Sequence, residues 1–254
     1  MISGLVSVSF RKMTPAQVLK LCGEAGLQCI EWGGDIHVPA GDISAAKLVA
    51  SMSNDSGIQT AAYGSYFRLG QPDDAFKKNL EVAEVLGAPV LRIWAGTSGS
   101  DSCTDRQCCE WIDQLARISD SAKHSGITVA PEFHMNTLTD SLPSLRNLLA
   151  QLPEQKFYWQ PRWEWPAEDR LTALREIGDR LVGIHVFTWR IENGNEIRLP
   201  LAEGETMWRD ALSGHAGGIP AMLEFVQNDD PAVLLRDAAV LKQWLAEADN
   251  SAMR

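Results

Sequence analysis

Short apolar runs alternate with amphipathic stretches from one end of the chain to the other, the pattern of buried strands separated by helices. Eight runs read as strands: Leu5 to Phe10, Gln28 to Trp32, Ile58 to Tyr63, Pro89 to Trp94, Ile127 to Phe133, Lys156 to Gln160, Leu181 to Phe187 and Ile219 to Val226. The stretches between them carry helix punctuation. Thr14-Pro15 precedes Val18 to Glu24 and Gly26 follows it; Asp42 precedes Ala45 to Met52; Asp73 precedes Phe76 to Leu86 with Gly87 as the stop. Each has a side-chain acceptor at the start, and two have a glycine at the end. Further helices are expected from Thr104 to His124, from Leu138 or Thr139 to Leu152, from Pro166 to Ile177 and from Asp229 or Asp230 to Ala248.

Eight strand and helix pairs in 254 residues fit a single α/β domain, a (β/α)8 TIM barrel over residues 1–254. A doubly wound sheet would carry a glycine-rich first turn, and no G-x-G-x-x-G follows Phe10. The longest irregular interval, Arg190 to Gly218, holds a short helix at Glu205 to Leu212, and connections of that length tend to be functional.

Composition narrows the partners. At 45% hydrophobic and 22% charged residues the chain is a folded globular protein, and its formal charge of −10 repels phosphate backbones and anionic lipid. Neither nucleic acid nor membrane is expected as a partner. The longest near-apolar run, Ala88 to Ala95, is interrupted by Arg92 and falls short of the about 20 residues of a membrane span. The start lacks a basic segment before an apolar one, so the cytoplasm is the expected location. Cys22, Cys29, Cys103, Cys108 and Cys109 show no C-x-x-C spacing and are expected as reduced thiols. Association into a homo-oligomer is left open.

In such a barrel chemistry sits at the C-terminal ends of the strands. There the chain places Glu132 and His134, two residues apart on one strand, His185 within Val-Gly-Ile-His, and Glu224 within Met-Leu-Glu-Phe. A buried carboxylate must be paired, protonated or bound to a cation. Two glutamates and an imidazole at one mouth fit a divalent metal site, for Mn2+, Mg2+, Co2+ or Zn2+. Taken singly, Glu132 or Glu224 also admits the lesser reading of an ion-pair partner of Arg92, and His185 that of a hydrogen-bonded core histidine. Glu31, Asp35 and His37 follow the second strand and read either as a turn or as substrate contacts. Six of the nine tryptophans, Trp32, Trp94, Trp159, Trp163, Trp165 and Trp189, fall at or beyond strand ends, where indoles pack on sugar rings.

The phrases Ile30-Glu-Trp-Gly-Gly-Asp-Ile-His-Val-Pro39, Pro131-Glu-Phe-His-Met-Asn-Thr-Leu-Thr-Asp140, Gly183-Ile-His-Val-Phe187 and Met222-Leu-Glu-Phe225 together resemble the sugar phosphate isomerase/epimerase superfamily of xylose isomerase-like barrels. The resemblance covers nearly the whole chain. It implies a metal bound by Glu132, His185 and Glu224, with Gln160 where the family usually has Asp. That exchange lowers the formal ligand charge. It further implies Glu132 and Glu224 as the acid/base pair of a sugar or sugar phosphate isomerase or epimerase working through an enediolate. Trp32, His37, Trp94, His134, Trp163, Trp189 and Arg190 are then the expected substrate contacts. Two alternatives stand beside it: a dehydratase of the same superfamily, and a carbohydrate-binding barrel that has lost its chemistry, favoured by Gln160 and Trp163. The endonuclease IV branch is disfavoured by five histidines and the acidic balance.

Overall fold

The structure, a computed structural model, describes residues 1–215 and 217–252. Eight parallel strands close a barrel: β1 (Ile2–Val6), β2 (Cys29–Gly33), β3 (Gln59–Arg68), β4 (Val90–Trp94), β5 (Thr128–Glu132), β6 (Phe157–Trp159), β7 (Leu181–Val186) and, after a hairpin of β8 (Thr188–Glu192) and β9 (Asn195–Leu199), β10 (Pro220–Leu223). Their order around the barrel follows the sequence, with β10 closing between β7 and β1. The helices α1 (Pro15–Ala25), α2 (Ile43–Ser56), α3 (Asp73–Leu86), α4 (Asp105–Lys123), α5 (Leu142–Gln151), α6 (Ala167–Ile177), α7 (Glu205–Leu212) and α8 (Pro231–Ala252) form the outer layer. The expected barrel is therefore the observed one.

Helix boundaries follow the punctuation in the sequence. Thr14 and Gln17 form a capping box ahead of α1, and Thr104 and Gln107 form another ahead of α4, each satisfying two otherwise free backbone N–H groups. Gly26, Gly57 and Gly87 close α1, α2 and α3 in the left-handed conformation, where a Cβ would be strained.

Strand alternation divides the apolar residues between two cores. Leu5, Ile30, Trp32, Leu91, Ile93, Phe133 and Trp159 pack with the main core that includes the helices. Val6, Cys29, Ala61, Val90, Ala130 and Met222 form a separate, smaller cluster filling the barrel's interior.

Three expectations are corrected. First, β1 stops at Val6, and Ser7–Phe10 form a 3-10 turn. There the Ser7 hydroxyl accepts from the Gly33 backbone N–H at 2.9 Å, a contact a continued strand would not make. Second, the interval after β7 is not irregular at its start but a β-hairpin. Asn193 and Gly194 sit at its tip with φ of 51° and 76°, the two positive values that a two-residue hairpin turn requires. Third, Cys103 and Cys108 are disulfide-bonded, because the turn into α4 brings their Cα atoms within 6.2 Å. Cys22 and Cys29 stay free and buried, and Cys109 is free and exposed.

Candidate active site

On each barrel strand the residues alternate between interior and helix-facing sides, and near the C-terminal ends the interior side turns polar. Glu31 on β2, Arg92 on β4, Glu132 on β5 and His185 on β7 are all buried, as is Glu224 just after β10. Glycine makes room for them. A Cβ at Gly64 on β3 would lie 2.3 Å from Glu31 Oε1 and 2.7 Å from Arg92 Nη2. One at Gly183 on β7 would lie 2.2 Å from the Tyr158 ring, which stacks beside His185 at 4.7 Å.

The network is ordered around Arg92. Its Nε donates to Glu31 Oε1 at 2.7 Å and its Nη1 to Glu132 Oε2 at 2.7 Å. The Trp94 indole N–H also donates to Glu132 Oε2. Burial alone would push the Glu132 carboxyl up, but the Arg92 charge, then His185, outweigh it and hold Glu132 well below the usual carboxylate range. Burial likewise disfavours the Arg92 cation, and Glu132 and Glu31 more than compensate.

His185 is oriented from one side and exposed to anions on the other. Its Nε2 lies 3.0 Å from Glu31 Oε2, and the acceptor-only carboxylate assigns the proton to Nε2. The opposite nitrogen, Nδ1, then faces Glu132 Oε1 at 2.9 Å and Glu224 Oε2 at 3.3 Å, yet neither contact is aligned as a hydrogen bond, and Nδ1 and Glu224 Oε2 have no hydrogen-bond partner among the described residues. A lone pair and two carboxylates converging on one point call for positive charge. Without a cation the ring itself must supply it: burial disfavours the imidazolium, but Glu224 and Glu31 raise its pKa well above the ordinary value.

A divalent cation meets the same demand. Glu132, His185 and Glu224 offer donor atoms within 4.8 Å of one another. Gln160 lines the same recess; its Nε2 is committed to the Phe133 carbonyl at 2.8 Å, while its buried Oε1 has no partner among the described residues. Two carboxylates, an imidazole and an amide oxygen fit Mn2+, Mg2+, Co2+ or Zn2+. The Glu31 carboxylate behind His185 is the outer support such ligands usually have.

Around this centre lie two adjoining cavities. The inner one, about 80 Å3, is bordered by Tyr66, Arg92, Trp94, Glu132 and Glu224. The outer chamber, about 270 Å3, is walled by Trp163, Phe187, Trp189 and Phe225, whose rings contact one another at centroid distances of 4.7 to 6.5 Å. His134, Gln160 and Phe225 border both. His134 tilts against Trp94 at 4.6 Å, with Nδ1 2.9 Å from the Met135 carbonyl.

The expected substrate contacts thus separate into two groups. Trp94, His134, Trp163 and Trp189 come together at the mouth. Trp32, His37 and Arg190 do not. Trp32 follows inward-facing Glu31 and so points outward, its indole N–H donating to Ser53 on α2 at 3.2 Å. His37 is buried with Nδ1 on Ser7 Oγ at 3.0 Å and Nε2 on the Met13 carbonyl at 3.1 Å, so neither ring nitrogen is free. Arg190 lies exposed on the hairpin and pairs with Glu192 at 3.0 Å. Trp159 packs outward against Trp208. Glu31, expected as part of a turn or as a substrate contact, lies on β2 and joins the network through Arg92 and His185. Its signal was present: a carboxylate ending an apolar strand, as Glu132 does.

Comparison with known proteins places the fold and the family. The model of the xylose isomerase-like TIM barrel family matches residues 19–243. A 3-dehydroshikimate dehydratase of Bacillus anthracis is 24% identical over 161 residues, which are 58% of this chain and 56% of that protein; the match thus spans little more than half of its length. Among solved structures, that of the probable 3-DHS dehydratase AsbF of Bacillus anthracis, involved in petrobactin synthesis, superposes with a TM-score of 0.77 at 19% identity, covering 95% of this chain and 99% of that one. An L-ribulose 3-epimerase superposes with a TM-score of 0.71 at 16% identity, covering 99% and 97%. These likenesses establish a common fold. With the family model covering most of its length, the chain belongs to the xylose isomerase-like TIM barrel family.

Proposed function

We propose that this barrel removes a proton from the carbon beside a carbonyl in a small polyhydroxylated substrate and returns it, acting as a sugar isomerase or epimerase. The observation that carries this reading is the buried convergence of Glu132, His185 and Glu224 on one point, with His185 held from behind by Glu31. A divalent cation held by Glu132, Gln160, His185 and Glu224 would supply electrophilic stabilisation of the negative charge developing on the substrate's oxygens. The chain's own groups divide the remaining work. Arg92 and Trp94 occupy Glu132 Oε2 and keep that carboxylate ionised. Glu224, whose Oε2 has no hydrogen-bond partner among the described residues, would hold the cation through that atom and take the proton on its other oxygen, with Glu132 as its counterpart across the recess. Trp94, against Tyr66 at 5.0 Å, shields the carbon-bound proton from water.

A second reading is favoured by the inequality of the two carboxylates. A carboxylate held strongly ionised by Arg92 is a weak base, whereas an epimerase alternates two. Dehydration needs one base: Glu224 takes the carbon-bound proton, the electron pair forms the double bond, and the β-hydroxyl leaves as water on receiving a proton. His134, which borders both cavities and has Nδ1 on the Met135 carbonyl, would give that proton from Nε2 as the imidazolium. The similarity to a 3-dehydroshikimate dehydratase points the same way. Incubating ketoses, inositol derivatives and 3-dehydroshikimate in D2O, with and without Mn2+, separates the readings by NMR. Deuterium at a retained carbon with a new sugar isomer supports the first, and a new alkene signal with loss of water supports the second. Neither change in any substrate leaves the non-catalytic barrel.

A further inference from the structure

The outer chamber has more than three times the volume of the inner cavity, about 270 Å3 against about 80 Å3. Ligand pockets usually span about 300–1,000 Å3, so neither cavity alone reaches that range and the two together do. Most of a bound ligand's bulk therefore lies among Trp163, Phe187, Trp189 and Phe225, away from the proton-transfer groups.

The charges bordering the two cavities describe the rest of the ligand. Each cation there already faces a carboxylate. Arg92 is bound by Glu31 and Glu132, Arg11 pairs with Asp35, and Arg162, buried in the chamber wall at 8% exposure, pairs with Glu164. Glu224 and Glu196 border the cavities in addition, so acidic groups outnumber basic ones. A divalent cation at Glu132, His185 and Glu224 would bring this balance near neutrality without making the chamber attractive to an anion. Phosphate recognition usually relies on uncommitted guanidinium or backbone N–H donors. Here flat aromatic faces suit the C–H face of a ring, and the Glu164 and Glu196 carboxylates at the rim suit its hydroxyl donors.

We infer that the substrate is an uncharged glycoside of two sugar units: the reacting carbonyl end enters the inner cavity, and the second sugar ring lies in the aromatic chamber. The inference rests on the proposed sugar chemistry but is read by binding rather than turnover. The test measures affinity of the full chain, with and without Mn2+, by tryptophan fluorescence and calorimetry for D-fructose, D-fructose 6-phosphate and four neutral keto-disaccharides: lactulose, turanose, isomaltulose and leucrose.

At least one disaccharide is expected to bind about tenfold more tightly than fructose, the scale of one well-packed ring contact. Fructose 6-phosphate is expected to bind no more tightly than fructose. Trp163→Ala is expected to bring the disaccharide-to-fructose ratio towards one; Trp189→Ala, on the hairpin, provides the same reading should Trp163→Ala melt early. Fructose 6-phosphate binding most tightly, no disaccharide exceeding fructose, or a ratio unmoved by both folded variants would each overturn the inference. Deuterium exchange is scored separately. A disaccharide preference without exchange would fail the proposed chemistry alone, and exchange confined to the phosphate ester would fail the two-ring substrate alone.

Discussion

The lower and upper halves of the barrel interior are built by the same strands and obey opposite rules. On β2 the interior residue Cys29 is followed two positions later by Glu31, on β4 Val90 by Arg92, on β5 Ala130 by Glu132, and beyond β10 Met222 by Glu224. The lower layer is apolar and gains stability by leaving water. The upper layer buries five ionisable side chains whose desolvation costs several kcal/mol each before pairing offsets it. One step of two residues along a strand thus separates residues that hold the fold from residues that burden it, and the burden marks the candidate site.

The largest expected effect attacks the upper layer's chemistry. Glu224→Gln keeps the shape and removes the free carboxylate, so solvent-deuterium exchange should fall by about 10²–10⁴-fold while the melting temperature holds or rises. Retained exchange would remove Glu224 from the proton-transfer role. Next, Arg92→Met leaves Glu31 and Glu132 buried without their cation and should destabilise the fold by about 3–5 kcal/mol, read by denaturant unfolding; a loss under about 1 kcal/mol would mean the pair is not what offsets their burial. Met222→Ala, one layer down, should cost about 2–5 kcal/mol through an unfilled cavity yet leave Mn2+ affinity unchanged in calorimetry. A matching loss of affinity would show that the two layers are not separable.

Glu31→Gln sharpens the comparison further, because it weakens the support behind His185 together with one of the two ion pairs of Arg92. Mn2+ affinity should fall about 10–100-fold.

The smallest effect lies outside the barrel. Asp237 on α8 accepts from the Leu201 backbone N–H at 3.0 Å, and burial, partly opposed by that bond, pushes its carboxyl up to about 6. The folded state thus holds this proton more tightly than the unfolded state. Its stabilisation is complete below the ordinary carboxylate range and is lost as the pH rises through about 6. Asp237→Asn keeps an acceptor for Leu201 and removes the charge, so its melting point should exceed that of the unaltered protein at pH 8 and the gap should close by pH 4. A constant gap across that range would assign the effect to something other than ionisation.

Much of this was legible in the sequence because strand parity is a rigid rule. The placement of Glu132, His185 and Glu224 at strand ends followed from the eight-run pattern. The same rule, applied to tryptophans, would have sent Trp32 and Trp159 outward, since Glu31 and Tyr158 beside them face the interior; counting them at the mouth treated strand ends as a region rather than as two faces. The hairpin was signalled by Asn193-Gly194 between two alternating runs. That His37 spends both nitrogens on Ser7 and Met13 was not legible, because it depends on where a 3-10 turn brings a hydroxyl 30 residues away. Ion pairing to Arg92 is one of the two roles the sequence allows Glu132, and the structure shows that pair at 2.7 Å inside the candidate cluster.

The β8–β9 hairpin leaves the barrel at Thr188 and returns at Leu199, and it is tied at its base by the Thr188 hydroxyl donating to the Leu201 carbonyl at 3.2 Å. It brings Trp189 and Glu196 to the outer chamber but contributes nothing to the Glu31, Arg92 and His185 network. Such an insertion is exchangeable: one hairpin of equal span grafted between residues 188 and 199 would re-dress the entrance for another guest while the machinery beneath stayed intact. Diversification of ligand choice in this architecture can then proceed by swapping a surface appendage, with no mutation in the closed sheet that carries it.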